Sequence, residues 1–197
     1  MSGHLGMDGV LLFPGAGSGR DHSSLVKIED SLAPMPVRRA DFPYRKAGRR
    51  APDRAPILLD CVRSEGRSFA AELGVDTARL VLGGRSMGGR MCSMVVAGGS
   101  DIGEAMPAAG LVLISYPLHP PGKPEKLRVE HLARLNVPCL FIQGTRDTFA
   151  SPDELQQWTQ TIPGPVTHVW LEGKGHDLKG ADVAIADSVR TWLSATA

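Results

Sequence analysis

The sequence has few residues of the kinds that mark several protein classes. Its three cysteines, Cys61, Cys92 and Cys139, are scattered and form no C-x-x-C pair, which argues against a disulfide framework and a zinc site. No apolar run approaches the ~18 residues of a membrane span, and the net charge is only +1. We therefore expect no metal ion, no organic cofactor, no membrane and no nucleic-acid partner. The unpaired cysteines favour the reducing cytoplasm.

The 197 residues suit a single domain, 1–197, with a sizeable buried core. The N-terminal stretch MSGHLGMDGVLLFPG has no basic region before its short apolar run. A secretory signal would have one, so we expect a strand there rather than a signal peptide.

Short apolar runs alternate along the chain with segments of helical periodicity. Strands are expected at 9–13, 35–44, 79–84, 110–116, 138–144 and 166–173, and loops at 46–56 and 117–124. Helices are expected at 23–33, 57–73 (weakened by Gly66), 87–99, 125–135, 152–162 and 182–195. Buried strands separated by helices predict an α/β fold, with a mostly parallel sheet of about six strands flanked by helices.

The octet GGRSMGGR, residues 83–90, contains the pattern G-x-S-x-G between a predicted strand and a predicted helix. A serine nucleophile needs such a tight turn, which exposes its Oγ, and glycines two residues away on either side leave room for it. Ser86 is therefore the candidate nucleophile, and the backbone N–H of Met87 a candidate oxyanion donor. The alternative is a glycine-rich turn with a capping serine.

Two other glycine motifs fit less well. Gly84 and Gly89 have the spacing of a phosphate-binding loop, but Arg90 and Met91 stand where Lys and Ser or Thr are required. The stretch GAGSGR, residues 15–20, ends in Arg20 where a dinucleotide-binding loop has its third glycine. Neither stretch is therefore read as a nucleotide site.

A serine nucleophile needs a base and an acid, which in this kind of sheet follow later strands in the order Ser, Asp or Glu, His. Asp147 in GTRDTF and His176 in GKGHDL fulfil that order at the same sheet edge. His176 is expected to exchange the proton of Ser86, and Asp147 to orient the imidazole. Asp153 and Asp177 are the weaker alternatives for the acid.

The remaining candidates surround this edge. The loop PGAGSGRDH offers the second oxyanion donor, Ala16 first and Gly17 second. Gly17, His22, Arg85 and His119 are possible substrate contacts. His168 lies in a strand and is expected to pack there, whereas His131 is expected to be solvated on a short helix.

Several segments together resemble a known family: FPGAGSGRDH, FPYRKAGRRAPDRAP, GGRSMGGRMCSMVV, YPLHPPGKPEKLRVEHL, FIQGTRDTF and GKGHDLK. They resemble the small α/β-hydrolase-like family of testis-expressed protein 30 and of the hydrolase-like domain of a KAT8 regulatory complex subunit. The resemblance spans nearly the whole chain and implies an α/β-hydrolase fold with Ser86, Asp147 and His176 as its triad. It implies no particular substrate. Pro14-Gly15 replaces the His-Gly pair of many α/β hydrolases.

The resemblance also implies a minimal, capless version of the fold. The first strand of the chain matches the third strand of the full fold, so the first two are expected to be absent. The short connection between 113–116 and 138–141 leaves no room for a lid domain. An open, shallow site would favour small or exposed acyl groups.

Residues 38–54 carry most of the local positive charge, through Arg38, Arg39, Arg45, Lys46, Arg49, Arg50 and Arg54. These side chains are either solvated and paired with carboxylates, or they bind an anion or an acidic partner. Three functions stay open. The first is a serine hydrolase acting on an ester or thioester of a small molecule, the second is a non-catalytic interaction module, and the third is an acyltransferase.

Overall fold

The computed structural model describes residues 6–196, so the first five residues of the predicted N-terminal segment and the last residue of the predicted domain lie outside it. Six strands form one sheet: β1 Gly9–Phe13, β2 Val37–Arg39, β3 Leu80–Arg85, β4 Gly110–Ile114, β5 Cys139–Gly144 and β6 Val166–Leu171. Six helices accompany them: α1 Ser23–Leu32, α2 Pro43–Lys46, α3 Ala55–Leu73, α4 Met87–Ala97, α5 Pro152–Thr159 and α6 Asp182–Thr196.

The sheet is parallel throughout, with the strand order β2-β1-β3-β4-β5-β6. Within the described residues, the first strand, β1, lies inside the sheet, and β2 pairs with it on one side. The chain then crosses to the other side of β1, where β3, β4, β5 and β6 follow in order. The prediction of a parallel sheet of about six strands is confirmed. Because all carboxyl ends lie at one edge, the loops after β1, β3, β5 and β6 meet there.

Both faces of the sheet are covered, which explains why the central strands are apolar at every position. β1, β3, β4 and β5 are buried along their whole length. On one face they pack against α3 and α4 through side chains such as Val62, Phe69 and Met91. On the other face they pack against α1 and α6 through Ile28, Val189 and others. Each fully buried aliphatic side chain contributes about 1.5–3 kcal/mol.

The predicted helix 125–135 is wrong. The segment is irregular except for a 3₁₀ turn at Leu132–Arg134. An isolated helix of this length is marginal in water, and tertiary contacts give the segment another course. The Arg134 guanidinium donates to the Gly98 carbonyl at 2.9 Å, and Leu132 and Leu135 insert into the core.

The expectation that His131 is solvated is wrong for the same reason. Its side chain is buried, and its Nε2 lies 2.8 Å from Ser93 Oγ and 3.1 Å from Tyr116 Oη. Burial and the nearby charge of Arg90 lower the pKa of His131 to about 3. His131 is therefore a neutral core residue that ties the irregular segment to α4.

Three smaller differences concern element limits. The strand expected over 35–44 is only Val37–Arg39, because it pairs with β1 over Val10–Leu12 alone and the chain then begins α2 at Pro43. The loop expected over 46–56 shares its ends with α2 and α3. Gly66 does not interrupt α3, which is continuous over Ala55–Leu73. Its missing side chain lets Met106 pack against the helix, since a Cβ there would lie 2.9 Å from Met106 Cε.

The end of β4 leads to β5 through residues 115–138, which contain only the 3₁₀ turn. No helix of the described residues is long and apolar enough to cross a membrane. The three cysteines are free thiols, with Cys92 and Cys139 buried and Cys61 partly buried.

Candidate active site

Ser86 stands on a strained turn between β3 and α4. Its φ is 47° and its ψ is −115°, a conformation that non-glycine residues rarely adopt. The flanking glycines make the turn possible. A Cβ on Gly84 would overlap the Phe13 carbonyl oxygen, and one on Gly88 would lie 2.5 Å from it. The two glycines therefore allow β1 to pack directly against the turn, and the strain exposes Ser86 Oγ.

His176 and Asp147 complete a continuous hydrogen-bond chain with this serine. His176 Nε2 lies 2.9 Å from Ser86 Oγ. His176 Nδ1 lies 2.8 Å from Asp147 Oδ2 and 3.0 Å from its Oδ1. The structure thus brings together the three residues that the sequence selected, at a separation that permits proton transfer.

Two neighbours hold the Asp147 carboxylate in place. The Gln143 amide donates to Oδ2 at 2.8 Å, and the Phe149 backbone N–H donates to Oδ1 at 2.8 Å. Gln143 is itself fixed, because its Oε1 accepts from the Tyr116 backbone N–H at 2.7 Å. The ring of Phe149 stacks on the His176 imidazole, with 3.9 Å between centroids. Gln143 and Phe149 were not selected from the sequence, although a buried glutamine at the end of a strand was an available signal.

The two proposed oxyanion donors border the same cavity as Ser86. Met87 is the first residue of α4, so its backbone N–H has no acceptor within the helix. Ala16 lies in the loop after β1, and its carbonyl accepts a hydrogen bond from the Tyr44 hydroxyl at 2.9 Å. That bond anchors the loop beside Ser86, and Gly17 borders the cavity next to it.

Arg85 lines the cavity, and its largely buried side chain has partners within the protein. Its Nη2 donates to the Asp177 carbonyl at 2.8 Å, and its Nη1 lies 3.3 Å from Ser24 Oγ. It thereby ties the loop that carries His176 to the start of α1. Burial lowers the pKa of Arg85, and three carboxylates oppose that effect.

The other two histidine candidates lie in different surroundings. His22 borders the cavity and caps α1 by accepting from the Ser24 backbone N–H at 3.3 Å. Burial, followed by the charge of Arg85, lowers the pKa of His22. His119 is buried away from the cavity lining, with its Nε2 3.5 Å from Glu154 Oε1. The structure therefore does not bring His119 to Ser86.

The alternative acids do not contact His176. Asp153 is exposed in the first turn of α5, where Ser151 and Glu154 form the capping box. Asp177 offers its carbonyl to Arg85, and its carboxylate accepts from the Lys179 backbone N–H.

The cavity above Ser86 has a volume of about 710 Å³. It is lined by the triad serine and histidine, by apolar groups such as Leu58, Met91 and Phe149, and by two further arginines, Arg90 and Arg128. Sequence reasoning used Arg90 only to exclude a phosphate-binding loop, and it missed Arg128 because that residue lies in the segment expected to be helical. Within residues 6–196, no cluster of three or more metal-ligating side chains was found.

Much of the basic segment 38–54 is paired within the protein. Arg38 contacts Glu65 and Glu72, Arg39 contacts Asp21 and Glu29, Lys46 contacts Glu65, and Arg49 contacts Asp53. Such exposed pairs contribute about 0–1 kcal/mol each. These ion pairs neutralise positive charges that would otherwise attract an external anion. Binding of an acidic partner by this segment stays a prediction.

A parallel sheet with a serine on a strained strand-to-helix turn, paired to a histidine from the last strand's loop, defines the class of α/β hydrolases. Comparison with known proteins agrees. The chain belongs to the family described as the alpha/beta hydrolase domain, which it matches over residues 7–192.

Solved structures share the fold at low sequence identity. Est1E from Butyrivibrio proteoclasticus has a TM-score of 0.73 at 13% identity, covering 98% of this chain and 89% of that one. An alpha-beta serine hydrolase homologue from Coxiella burnetii has a TM-score of 0.69 at 18% identity, with coverages of 93% and 83%. A thermophilic esterase, Est2, from Thermogutta terrifontis has a TM-score of 0.67 at 19% identity, with coverages of 98% and 84%.

Proposed function

We propose that the protein is a serine hydrolase that cleaves carboxylic esters or thioesters through an acyl-enzyme on Ser86. The observation that carries the proposal is the hydrogen-bond chain from Ser86 Oγ through His176 to Asp147, on a strained turn that opens into a cavity. A non-catalytic interaction module does not need an aligned serine, histidine and aspartate. The hydrogen-bond chain between these residues therefore favours catalysis over that alternative.

In the proposed reaction, Ser86 Oγ attacks the ester carbonyl carbon while His176 Nε2 takes its proton. The tetrahedral oxyanion would be met by the backbone N–H of Met87 and a second N–H from Ala16 or Gly17. His176 then protonates the departing alcohol or thiol, and the acyl group remains on Ser86. Water, deprotonated by His176, attacks the acyl-enzyme, and the carboxylic acid leaves as Ser86 regains its proton.

The substrate is proposed to be small or to present its acyl group openly. The segment between β4 and β5 contains no helical insertion that could cover the cavity. The names of similar structures point the same way, since one of them is an Est2 with propionate bound and another an Est1E with ferulic acid bound. The narrower resemblance to the family of testis-expressed protein 30, and a cytoplasmic location, remain part of this proposal.

The test is hydrolysis of 4-nitrophenyl esters of increasing acyl length, with Ser86→Ala as the key variant. Ser18→Ala is the matched control, because Ser18 also lines the cavity and, within residues 6–196, its hydroxyl hydrogen-bonds to the Gly15 carbonyl and to no residue of the triad. We expect Ser86→Ala to lower kcat by at least about 10³-fold and Ser18→Ala to retain activity. Equal activity of both variants would rule out Ser86 as the nucleophile.

Acyl transfer is the second candidate, because the same acyl-enzyme could react with an alcohol or amine instead of water. The ratio of transfer product to free acid, measured with added glycerol, separates the two. Product that is almost entirely free acid supports hydrolysis.

A further inference from the structure

Two arginines, Arg90 and Arg128, border the cavity and form no ion pair with a carboxylate within residues 6–196. Arg90 lies one turn into α4 from Ser86, to which its backbone N–H donates at 3.0 Å. Its Nε is buried and has no hydrogen-bond partner within residues 6–196. Arg128 reaches the cavity from the irregular segment between β4 and β5. Both residues therefore line the space in which a substrate would bind.

The charges around Arg128 do not neutralise it. Burial and the positive charge of Arg90 lower the pKa of Arg128, and the group that opposes them is Tyr116. Burial raises the pKa of Tyr116 to about 12, so this phenol is uncharged at neutral pH. The positive charges of Arg90 and Arg128 therefore repel each other in a half-buried space. An anion bound between them would offset this repulsion.

Within residues 6–196, neither carboxylate that lines the same cavity forms an ion pair with Arg90 or Arg128. Asp53 pairs with Arg49 through Oδ1 at 2.7 Å, and its buried Oδ2 has no hydrogen-bond partner within the described residues. Asp177 is exposed and accepts from the Lys179 backbone N–H. The third lining arginine, Arg85, donates to the Asp177 carbonyl. Arg90 and Arg128 are therefore the cations available to a ligand, and a guanidinium fork matches the geometry of a carboxylate.

We propose that Arg90 and Arg128 form an anion subsite and that the preferred substrates are esters carrying a carboxylate near the scissile bond. The proposal rests on the proposed hydrolase function. Arg90 lies four residues, about one helical turn, beyond Ser86 on α4, and Arg128 lines the same cavity, so the carboxylate would be a few atoms away from the ester carbonyl. The anion subsite would let the open cavity distinguish esters that carry a carboxylate from neutral esters of similar size.

The test compares esters that differ by one carboxylate. On the acyl side, 4-nitrophenyl hydrogen glutarate is compared with 4-nitrophenyl pentanoate. On the alcohol side, 4-acetoxybenzoate is compared with phenyl acetate. The ratio of kcat/KM within each pair is measured for wild type, Arg128→Gln, Arg90→Gln and Arg128→Lys. Arg67→Gln is the matched control, because Arg67 is exposed on α3 and does not line the cavity. A ratio within one variant does not depend on the fraction of protein that folds.

We expect wild type to prefer the carboxylate ester in at least one pair. Arg128→Gln and Arg90→Gln should each lower that preference by about ten- to a hundredfold, the effect of a charge-assisted hydrogen bond. Arg128→Lys should retain part of it, Arg67→Gln all of it, and added salt should weaken it. Normal hydrolysis of the neutral esters with no carboxylate preference, or with a preference unchanged in Arg128→Gln and Arg90→Gln, would overturn the subsite and leave the hydrolase function standing.

A second measurement separates the two claims if no ester is cleaved. Glutarate binding to the Ser86→Ala protein is measured by calorimetry, with and without Arg128→Gln. Binding that Arg128→Gln abolishes supports the subsite even where the hydrolase function fails. Absence of binding at millimolar glutarate, together with no hydrolysis, overturns both.

Discussion

Replacing Asp147 with asparagine tests how the site holds the histidine proton. The Asp147 carboxylate accepts the single N–H of His176 Nδ1, which is shared between its two oxygens, and one further hydrogen bond each from Gln143 and the Phe149 backbone. An asparagine has the same shape, but one of its two positions becomes an NH₂ donor. The Phe149 N–H cannot rotate, so the remaining oxygen stays with it, and the NH₂ takes the Oδ2 position.

In that position the NH₂ lies nearest to His176 Nδ1, which is 2.8 Å from Oδ2. It would donate to Nδ1 and move the imidazole proton to Nε2, which then cannot accept from Ser86. The same substitution in another serine hydrolase lowers kcat by about 10⁴-fold, equivalent to about 5 kcal/mol of activation free energy. The NH₂ would also oppose the Gln143 amide, at a cost of about 1–3 kcal/mol in folding stability.

The assay is kcat on a short 4-nitrophenyl ester together with a thermal melt. Asp153→Asn is the matched control, because Asp153 is an exposed carboxylate outside the cavity. We expect Asp147→Asn to remain folded at 25 °C with a lowered Tm and almost no activity, and Asp153→Asn to behave like wild type. A folded Asp147→Asn protein with activity within tenfold of wild type would show that Asp147 does not set the His176 tautomer.

Three further predictions follow from contacts around the site. Arg85→Gln should lower kcat about 10- to 100-fold with little change in KM, because the His176 loop loses its tie to Arg85; an unchanged kcat in steady-state kinetics would contradict this. Gly84→Ala should lower the free energy of unfolding by more than about 2 kcal/mol in urea, since φ is +151° and the new Cβ would meet the Phe13 carbonyl. His131 has a folded-state pKa of about 3, below its unfolded value of about 6.5. The stability that its burial contributes is therefore present above about pH 6.5 and is lost as pH falls toward 3; His131→Gln should flatten this part of the Tm–pH curve, and an unflattened curve would contradict it.

The sheet could be predicted because its physical signals are local. Central strands buried on both faces read as short apolar runs, and the helices between them show their own periodicity. The meeting of Ser86, Asp147 and His176 was predictable for a related reason. Each follows a strand, and parallel strands bring their carboxyl ends to one edge, so sequence order alone places the three residues close together.

The remaining features depend on contacts that the sequence does not display. Residues 125–135 have helical periodicity, yet they form no α-helix. His131 instead contacts α4 and Tyr116 in the core, and these contacts are not visible in the sequence. Arg128 reaches the cavity only because this segment takes an irregular path. Gln143 supports Asp147 through a buried hydrogen bond. That contact depends on how the turn after β5 directs the two side chains, which the sequence does not show.

Covalent modification with a fluorophosphonate, located by peptide mass spectrometry, identifies the nucleophile of the site. The hydrogen-bond chain to His176 is expected to activate Ser86 alone among the serines, so the adduct should lie on the peptide containing Ser86. Ser86→Ala should remove labelling, and Ser18→Ala should retain it. An adduct on another residue, or unmodified wild-type protein under conditions that label a control serine hydrolase, would contradict the account.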